Sequence, residues 1–413
     1  MTRQGVCEIA IIGAGVIGLT IAERLLRDGR EVVVIDPNPP GSGASYGNAG
    51  TIADYAVMPV GTPDVLRNLP SLLFDRNSPL AIRQAALPAL VPWLLRFAAQ
   101  SLPGPALRNA AAIAALLADA GGRWQALAER LGAQDLMQKR GCLYLYESEK
   151  AVLAARSGLT ARQTMGIHLE LLTPAELAAL EPGLPAMPGG AAFFPSAVFL
   201  TDPGKMMAAL AKSVFASAQF VTARVDRISR TSQGVSLSGS GLHLTARVVI
   251  IAAGAHSRHL ARQAGDRVPL DTERGYHVEW DMLVPPLTRP ACPTARGFYL
   301  CPMQGRLRVA GTVELGGLKA PPSPHRIAKL IAGARAIFPT LGPPSRDWMG
   351  FRPSMPDSLP VIGPSRGGAD VIHAYGHGHI GLTLAPITAR IVAGLVAGRE
   401  PPLDITPYRV DRF

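Results

Sequence analysis

The chain has 413 residues, 48% hydrophobic and 17% charged, enough apolar content for a large core and too much for global disorder. Its length suggests two domains, or one elaborated by a second. A net charge of +11 comes mainly from scattered arginines with no Lys/Arg run interleaved with aromatics, which sets nucleic acid aside and leaves acidic substrates or an anionic membrane surface.

The first elements form one pattern. Ile9-Ala10-Ile11-Ile12 is a buried-strand run, and Gly13-Ala14-Gly15-Val16-Ile17-Gly18 follows at once as GxGxxG. Leu19 to Arg27 has helical spacing with Gly29 at its C-cap, and Val32-Val33-Val34-Ile35-Asp36 is a second strand ending in an acid. Gly13 permits the turn, Gly15 lets backbone approach a pyrophosphate, and Gly18 lets helix and strand pack closely. The helix N-terminus at Val16, Ile17 and Gly18 offers N–H groups to phosphates, and Asp36 would accept from a ribose. With strand, helix, strand and acid in register, an ADP-containing dinucleotide is expected.

Pro37 to Thr51 is rich in small and hydroxyl residues, including Ser42, Ser45, Asn48, Ala49 and Gly50. It is either a loop lying close against a ligand or a flexible surface loop. From Pro63 to Arg140 the pattern turns to Ala/Leu-rich helices, one over Leu80 to Ala99 and one long helix or two over Ala106 to Leu131. This is an ordinary insertion packed on the core, or a membrane or subunit contact.

Gly141 to Tyr146 alternates as a strand, Thr173-Pro174-Ala175-Glu176 opens a helix with a capping box, and Thr201-Asp202-Pro203 opens another running to Phe215. Gln219 to Ile228 and Leu242 to Ala253 read as strands, the second ending in Ala252-Ala253-Gly254, where small residues admit a ligand. Alternation between Asp271 and Val313 predicts an antiparallel meander; one helix follows within Pro321 to Leu341, then turn, strand, Gly-rich loop and helix to Val396. The four cysteines, Cys7, Cys142, Cys292 and Cys301, form no CxxC pair and read as reduced thiols of a cytosolic protein. No apolar run reaches the length of a bilayer span, and the first such run is the fingerprint itself, so no cleaved leader is expected.

The fingerprint, the Gly254 strand, Gly350-Phe351-Arg352-Pro353 with Asp357 and Pro360-Val361-Ile362-Gly363, and Gly376-His377-Gly378-His379-Ile380-Gly381-Leu382-Thr383 occur in an order that resembles the FAD-dependent D-amino acid oxidase and glycine oxidase superfamily over nearly the whole chain. The helical insertion before Gly141 looks most like the bacterial D-amino acid dehydrogenases. The resemblance implies an α/β fold: a Rossmann-type FAD-binding domain (1–58, 196–266, 350–413) interleaved with a mainly antiparallel-sheet substrate domain (140–195, 267–349), plus a helical insertion (59–139). It implies FAD rather than NAD, with Val225 at adenine, Ser42, Ser45, Asn48, Ala49, Gly50 and Thr51 along pyrophosphate and flavin edge, and backbone of Gly376, Gly378, Ile380, Gly381, Leu382 and Thr383 near the flavin pyrimidine, ahead of a helix from Ala385 to Ala397 with Pro386 in its first turn. Monomeric sarcosine oxidases attach flavin through a cysteine that 350–356 lacks, so non-covalent FAD is implied.

By the same resemblance Arg352 binds a substrate carboxylate, for which a planar bidentate fork is suited. Tyr299 reaches the same carboxylate and Tyr276, on the neighbouring strand, lines the pocket, or each is an ordinary strand tyrosine with its hydroxyl in water. His379 stands where glycine oxidase-type sequences carry an arginine and is expected to contact the substrate or a hydroxyl group upon it, while His277, facing opposite Tyr276, is structural. His377 and His379, with no third ligand near, do not make a metal site. The implied chemistry is hydride transfer from the α-carbon of a D-amino or cyclic D-imino acid, such as D-proline or hydroxy-D-proline, to flavin N5, with no protein base and a quinone or other acceptor downstream. A cytoplasmic place, either free or peripheral on the cytoplasmic face of the inner membrane, is the accompanying expectation. The rivals are a glycine- or sarcosine-type oxidase producing peroxide, an FAD-holding electron-transfer subunit, and an NAD-dependent dehydrogenase.

Overall fold

A computed structural model of the chain describes residues 6–67 and 80–413. The part of the anticipated helical insertion that falls on 68–79 lies outside the described residues. The fingerprint folds as strand Val6–Ile12, helix Val16–Arg27 and strand Val32–Asp36. Val6–Ile12 runs parallel to Val32–Asp36 on one side and to Leu242–Ile251 on the other, with Ile12 opposite Ile35 and Ile251. Leu242–Ile251 in turn runs parallel to Gly368–Tyr375. The carboxyl ends of these strands share one edge, and two helices start from it: Val16–Arg27, and Gly381–Val396 beyond the Gly376 loop. Two shorter strands stand where one was expected over Gln219 to Ile228: Gln219–Thr222 joins the outer side of Val32–Asp36, and Arg227–Thr231 forms a hairpin with Gly234–Gly239.

The second sheet is built around Asp271–Asp281, which pairs antiparallel with Arg306–Leu315 and with Arg346–Ser354; Phe298–Met303 follows on the far side of Arg306–Leu315. Alternation divides this sheet into two faces. Tyr276, Val278 and Trp280 point into an apolar core that includes Leu330, Ala334 and Ile337 of the helix Pro324–Ile337. His277 and Glu279 point the other way, toward the loop after Asp36: the ring of His277 stacks on Trp348 with centroids 5.1 Å apart, and its Nδ1 lies 3.2 Å from the carbonyl of Gly47. Arg346–Ser354 pairs along its whole length with Asp271–Asp281, so the anticipated division at 349/350 falls inside a strand of this second sheet. Arg352 is therefore carried by the substrate sheet, not by the nucleotide sheet.

Glu279 fastens the two halves. Its carboxylate accepts from Arg306 Nε (2.9 Å), Arg308 Nε (2.7 Å) and Arg346 Nη1 (3.1 Å), and Arg308 Nη1 reaches the carbonyls of Tyr46 (3.0 Å) and Asn48 (2.6 Å). Burial alone would raise the Glu279 pKa, but Arg308 and Arg306 outweigh it and hold the group below its ordinary value.

The insertion departs from its expected outline. Leu80–Ile82 is a strand added to Val313–Leu315, because Arg83 at its end is drawn to Glu314 (Nε to Oε1 2.7 Å); the helix begins only at Leu87. The long helical stretch is two helices, Pro103–Leu117 and Ala120–Leu131, broken at Asp119, whose φ of 54° no helix continues.

Gly381–Val396 starts four residues before the anticipated Ala385, which moves Pro386 into the second turn. Proline has no N–H, so the Leu382 carbonyl loses its intrahelical donor. The buried indole of Trp124, from Ala120–Leu131, supplies the missing bond (Nε1 to Leu382 O, 2.8 Å). At the same end His377 Nε2 meets Thr388 Oγ1 at 3.0 Å, and burial pushes the imidazole down to about 3.

Two outcomes follow from this helix. Trp124→Phe keeps most of the ring volume but leaves a buried carbonyl without a donor, so urea titration shows a loss of ~1–3 kcal/mol and the purified protein retains less FAD. Between the ordinary histidine value of 6.5 and about 3, the unfolded chain binds a proton at His377 that the fold refuses. Stability complete above pH 6.5 is thus lost as pH falls, by up to ~1.4 kcal/mol per unit for this group, and the slope between pH 6.5 and 5 becomes shallower in His377→Gln.

Candidate active site

Two of the three fingerprint glycines are closed by protein and the third faces open space. A Cβ on Gly13, at φ +114°, would lie 2.3 Å from the Ala252 carbonyl oxygen, and one on Gly18 would lie 1.9 Å from the Gly13 carbonyl oxygen. A Cβ on Gly15 would meet only Ser45 Oγ, at 3.4 Å. Ser45 also takes the N–H of Val16 (2.9 Å), so the donors left without an intrahelical partner at this end are those of Ile17 and Gly18, and Val16 does not offer the N–H expected of it. Asp36 accepts from Ala14 N and Asn38 N, both at 2.8 Å, which fixes its carboxylate at the strand end.

Further along the loop, the Ser42 hydroxyl donates to the Pro39 carbonyl (2.7 Å) on an exposed turn. Asn48 Oδ1 accepts from Gly50 N (2.8 Å), shaping the bend into Ala49, Gly50 and Thr51. The Thr51 hydroxyl is buried and has no hydrogen-bond partner among the described residues. Two residues on, Ala53 N donates to Thr383 Oγ1 (3.1 Å), tying this segment to the first turn of Gly381–Val396. Val225 is buried in the same apolar cluster as Ile12 and Ile35. Gly254 has φ +54° with nothing within 4 Å of a would-be Cβ. Gly376 and Gly378 also have positive φ, and Gly378 N is held by the Pro353 carbonyl (2.8 Å). No side chain caps the N-terminus of Gly381–Val396.

Two uncapped helix N-termini, open glycine faces at both ends and an orphaned buried hydroxyl between them fit a long cofactor that is anionic at its pyrophosphate and polar at its far ring. Asp36 with the Ile17 and Gly18 N–H groups would hold the nucleotide half, and Thr51 with the Gly381 helix end the flavin half.

Arg352 occupies the face of the second sheet that looks into this cleft. Its Nη1 donates to the Thr312 carbonyl (2.9 Å), while Nε and Nη2 make no hydrogen bond with described residues and the side chain is only partly buried. Burial lowers its pKa and the charge of Glu273, directly across the ladder, opposes that shift. His379 is exposed and makes no hydrogen bond with described residues; desolvation by the surrounding protein, then the Arg352 charge, lowers it to about 4, so its imidazole is neutral at ordinary pH. Glu273, Ser354, Met58, Ile113 and the His377–Ile380 segment line one cavity beside these groups. Burial raises the Glu273 pKa despite Arg352 and Ser354.

Tyr299 lies on the Arg352 side of the sheet, opposite Ala310, which pairs with His277; its hydroxyl meets that of Tyr144 at 3.2 Å. Tyr276 does not line the pocket. It is 1% exposed on the opposite face, its hydroxyl bonded to Glu314 and accepting from Ser323 N (3.1 Å), because Arg352 shares its face with Glu273 and Gly275, the odd-numbered residues of the strand. His277, expected to be structural, stacks on Trp348 beneath the Gly47 loop. Sequence reasoning did not single out Glu273 or Ile113; only the register opposite Arg352 marks the first, and nothing short of the tertiary packing marks the second.

Residues 8–395 match the family described as DAO, FAD dependent oxidoreductase. The chain is 36% identical to a D-amino-acid oxidase of Bradyrhizobium diazoefficiens, over 98% of its own length and 99% of the relative's. It is 31% identical to a D-amino acid dehydrogenase of Dechloromonas aromatica, over 95% and 98%. Glycine oxidase from Geobacillus kaustophilus shares the fold with a TM-score of 0.78 at 25% identity, covering 98% of each chain. The chain belongs to the DAO family of FAD-dependent oxidoreductases, and FAD is its cofactor.

Proposed function

We propose that this enzyme oxidises a D-amino or cyclic D-imino acid at the α-carbon and passes the electrons to a quinone-type acceptor, with FAD held non-covalently. The observation that carries the reading is the Arg352 fork: one nitrogen is fixed by Thr312, two make no hydrogen bond with described residues, and a neutral His379 stands beside it. A guanidinium so placed takes a carboxylate in a bidentate pair and sets the rotation of the substrate as well as its position. FAD, when bound, supplies the two-electron acceptor for the α-hydrogen. The names of the Bradyrhizobium and Dechloromonas relatives support the D configuration. Apolar Met58, Val60 and Ile113 line one cavity together with polar Glu273, Ser354 and Ser358, a mixture that suits a compact ring with a hydroxyl and supports hydroxy-D-proline.

The second reading is an oxidase that passes electrons to oxygen, as the name of the Bradyrhizobium relative says of that protein. For a quinone acceptor, the insertion offers a route to a cytoplasmic membrane face. Leu87, Val91 and Leu95 recur every four residues at 43%, 44% and 68% exposure, and Leu102 and Leu107 continue the patch at 51% and 64%. Arg96 and Arg108 interrupt it, and 77–118 holds no Asp or Glu, so the surface combines exposed apolar side chains with positive charge. No single helix among the described residues is long and apolar enough to cross a bilayer.

Arg352→Leu tests the reading. KM for the amino acid found active in a panel of D- and L-amino and imino acids rises about a hundredfold, the scale of two lost charge-assisted bonds, while FAD content is unchanged. An unchanged KM sinks the carboxylate clamp, and peroxide formed in step with substrate consumed decides for the oxidase. Leu95→Glu with Leu107→Glu lowers sedimentation with anionic vesicles and leaves dye-linked turnover intact.

A further inference from the structure

Gly275 lies in the middle of Asp271–Asp281, where a glycine weakens a strand. Its backbone is not in the left-handed region, so conformation does not require it. What a side chain would meet there is the Arg352 guanidinium: the three nearest atoms to a would-be Cβ are Cζ and Nη2, both at 2.4 Å, and Nε at 2.8 Å. Arg352 stands on the neighbouring strand with Gly350 opposite Gly275, and its head crosses the bare backbone to reach the Thr312 carbonyl on the next strand.

That carbonyl is itself unusually placed. The ladder between Asp271–Asp281 and Arg306–Leu315 slips between Arg274 and Tyr276, so that Arg274 faces Glu314 and Tyr276 faces Gly311. Thr312, within the slip, has φ +58°, a conformation costly for a β-branched residue, and its buried hydroxyl has no partner among the described residues. Its N–H goes to the Gly297 carbonyl (3.0 Å), leaving its own carbonyl turned to Arg352. A bulge, a strained threonine and a mid-strand glycine meet at one guanidinium.

We propose that Gly275 and the Thr312 bulge are positioning residues for substrate recognition: the bare strand is a slot in which the Arg352 plane lies flat, and the Thr312 carbonyl pins one nitrogen so that the other edge presents Nε and Nη2 to the substrate carboxylate. This rests on Arg352 being the carboxylate clamp. The slot fixes which edge of the fork is free, and hence the angle at which the α-carbon meets the cofactor. The chain keeps a residue that weakens its central strand because any Cβ lifts the guanidinium off its seat.

The experiment uses purified holoenzyme with Gly275→Ala, Arg352→Lys, the double variant and Arg352→Leu. KM for the active amino acid is measured together with the affinity for benzoate, read from the shift in flavin absorption. In G275A, KM and the benzoate dissociation constant each rise about tenfold, the scale of one lost charge-assisted bond. Turnover at saturation changes less, and FAD content and melting temperature are held or raised, since alanine suits a strand better than glycine. Replacing arginine by lysine costs less in the G275A background than in the native one, because the planar fork has already lost its seat. Unchanged KM and benzoate affinity in G275A overturn the inference. So does a lower melting temperature or lost FAD, which makes Gly275 a residue of the fold. If R352L also leaves KM unchanged, the clamp itself has failed; if R352L raises KM and G275A does not, only the slot has failed.

Discussion

The fold depends on how Arg308 is shared. The same guanidinium that satisfies Glu279 within the second sheet holds the backbone carbonyls of Tyr46 and Asn48 in the nucleotide loop. Both Arg308 and Glu279 are fully buried, where unpaired charges are very costly, so loop and sheet cannot separate without exposing or orphaning them. The contact therefore does more than join two layers. It decides which face of the sheet looks at the cofactor cleft, and alternation then assigns every other residue: Glu273, Gly275 and His277 inward with Arg352, Arg274 and Tyr276 outward toward the helix Pro324–Ile337. A slip of one residue would reverse all of these assignments.

A second constraint runs through the helix Gly381–Val396. No side chain caps its N-terminus, and Pro386 leaves a carbonyl without its donor one turn later. The helical insertion supplies the remedy through Trp124, and Ile113 from the same insertion lines the cavity that also holds Glu273 and His379. An element that looks like an accessory in the chain order thus completes both the main helix and the pocket wall. Its outer surface, with Leu95 and Leu107 exposed, is free for another task.

Much of this was legible in the sequence, and the reasons are local. The fingerprint, the Asp202 cap and the Thr173 box are short-range patterns whose hydrogen bonds close within a few residues, so spacing suffices to place them. Arg352 was named through a resemblance carried by its neighbours. Tyr276 went wrong because alternation gives two faces without saying which one meets the cleft; that is settled by Arg308 and Glu279, residues with no signature of their own. Leu80–Ile82 went wrong because a helix-like composition yielded to an edge that Arg306–Leu315 left open and to an ion pair 231 residues away. Glu273 carries no motif at all and matters only through its register.

The electrostatics of the pocket bind these pieces to the chemistry. His379 and His377 are both pushed far below their ordinary value, so neither adds charge near the cofactor, and Arg352 stands as the cation facing the cleft with the helix end behind it. A partly buried guanidinium with two nitrogens free of described partners favours an anion over a neutral molecule, so under the proposed function a carboxylate is both the anchor and the group that completes the site's hydrogen bonding. Glu273, across the ladder from Arg352 and raised by its burial, tempers that field without making an ion pair. A site organised this way needs no strong base among its side chains. It needs one cation held flat at a fixed angle, and the strained Thr312 and bare Gly275 beneath Arg352 are the parts of the fold that hold it so.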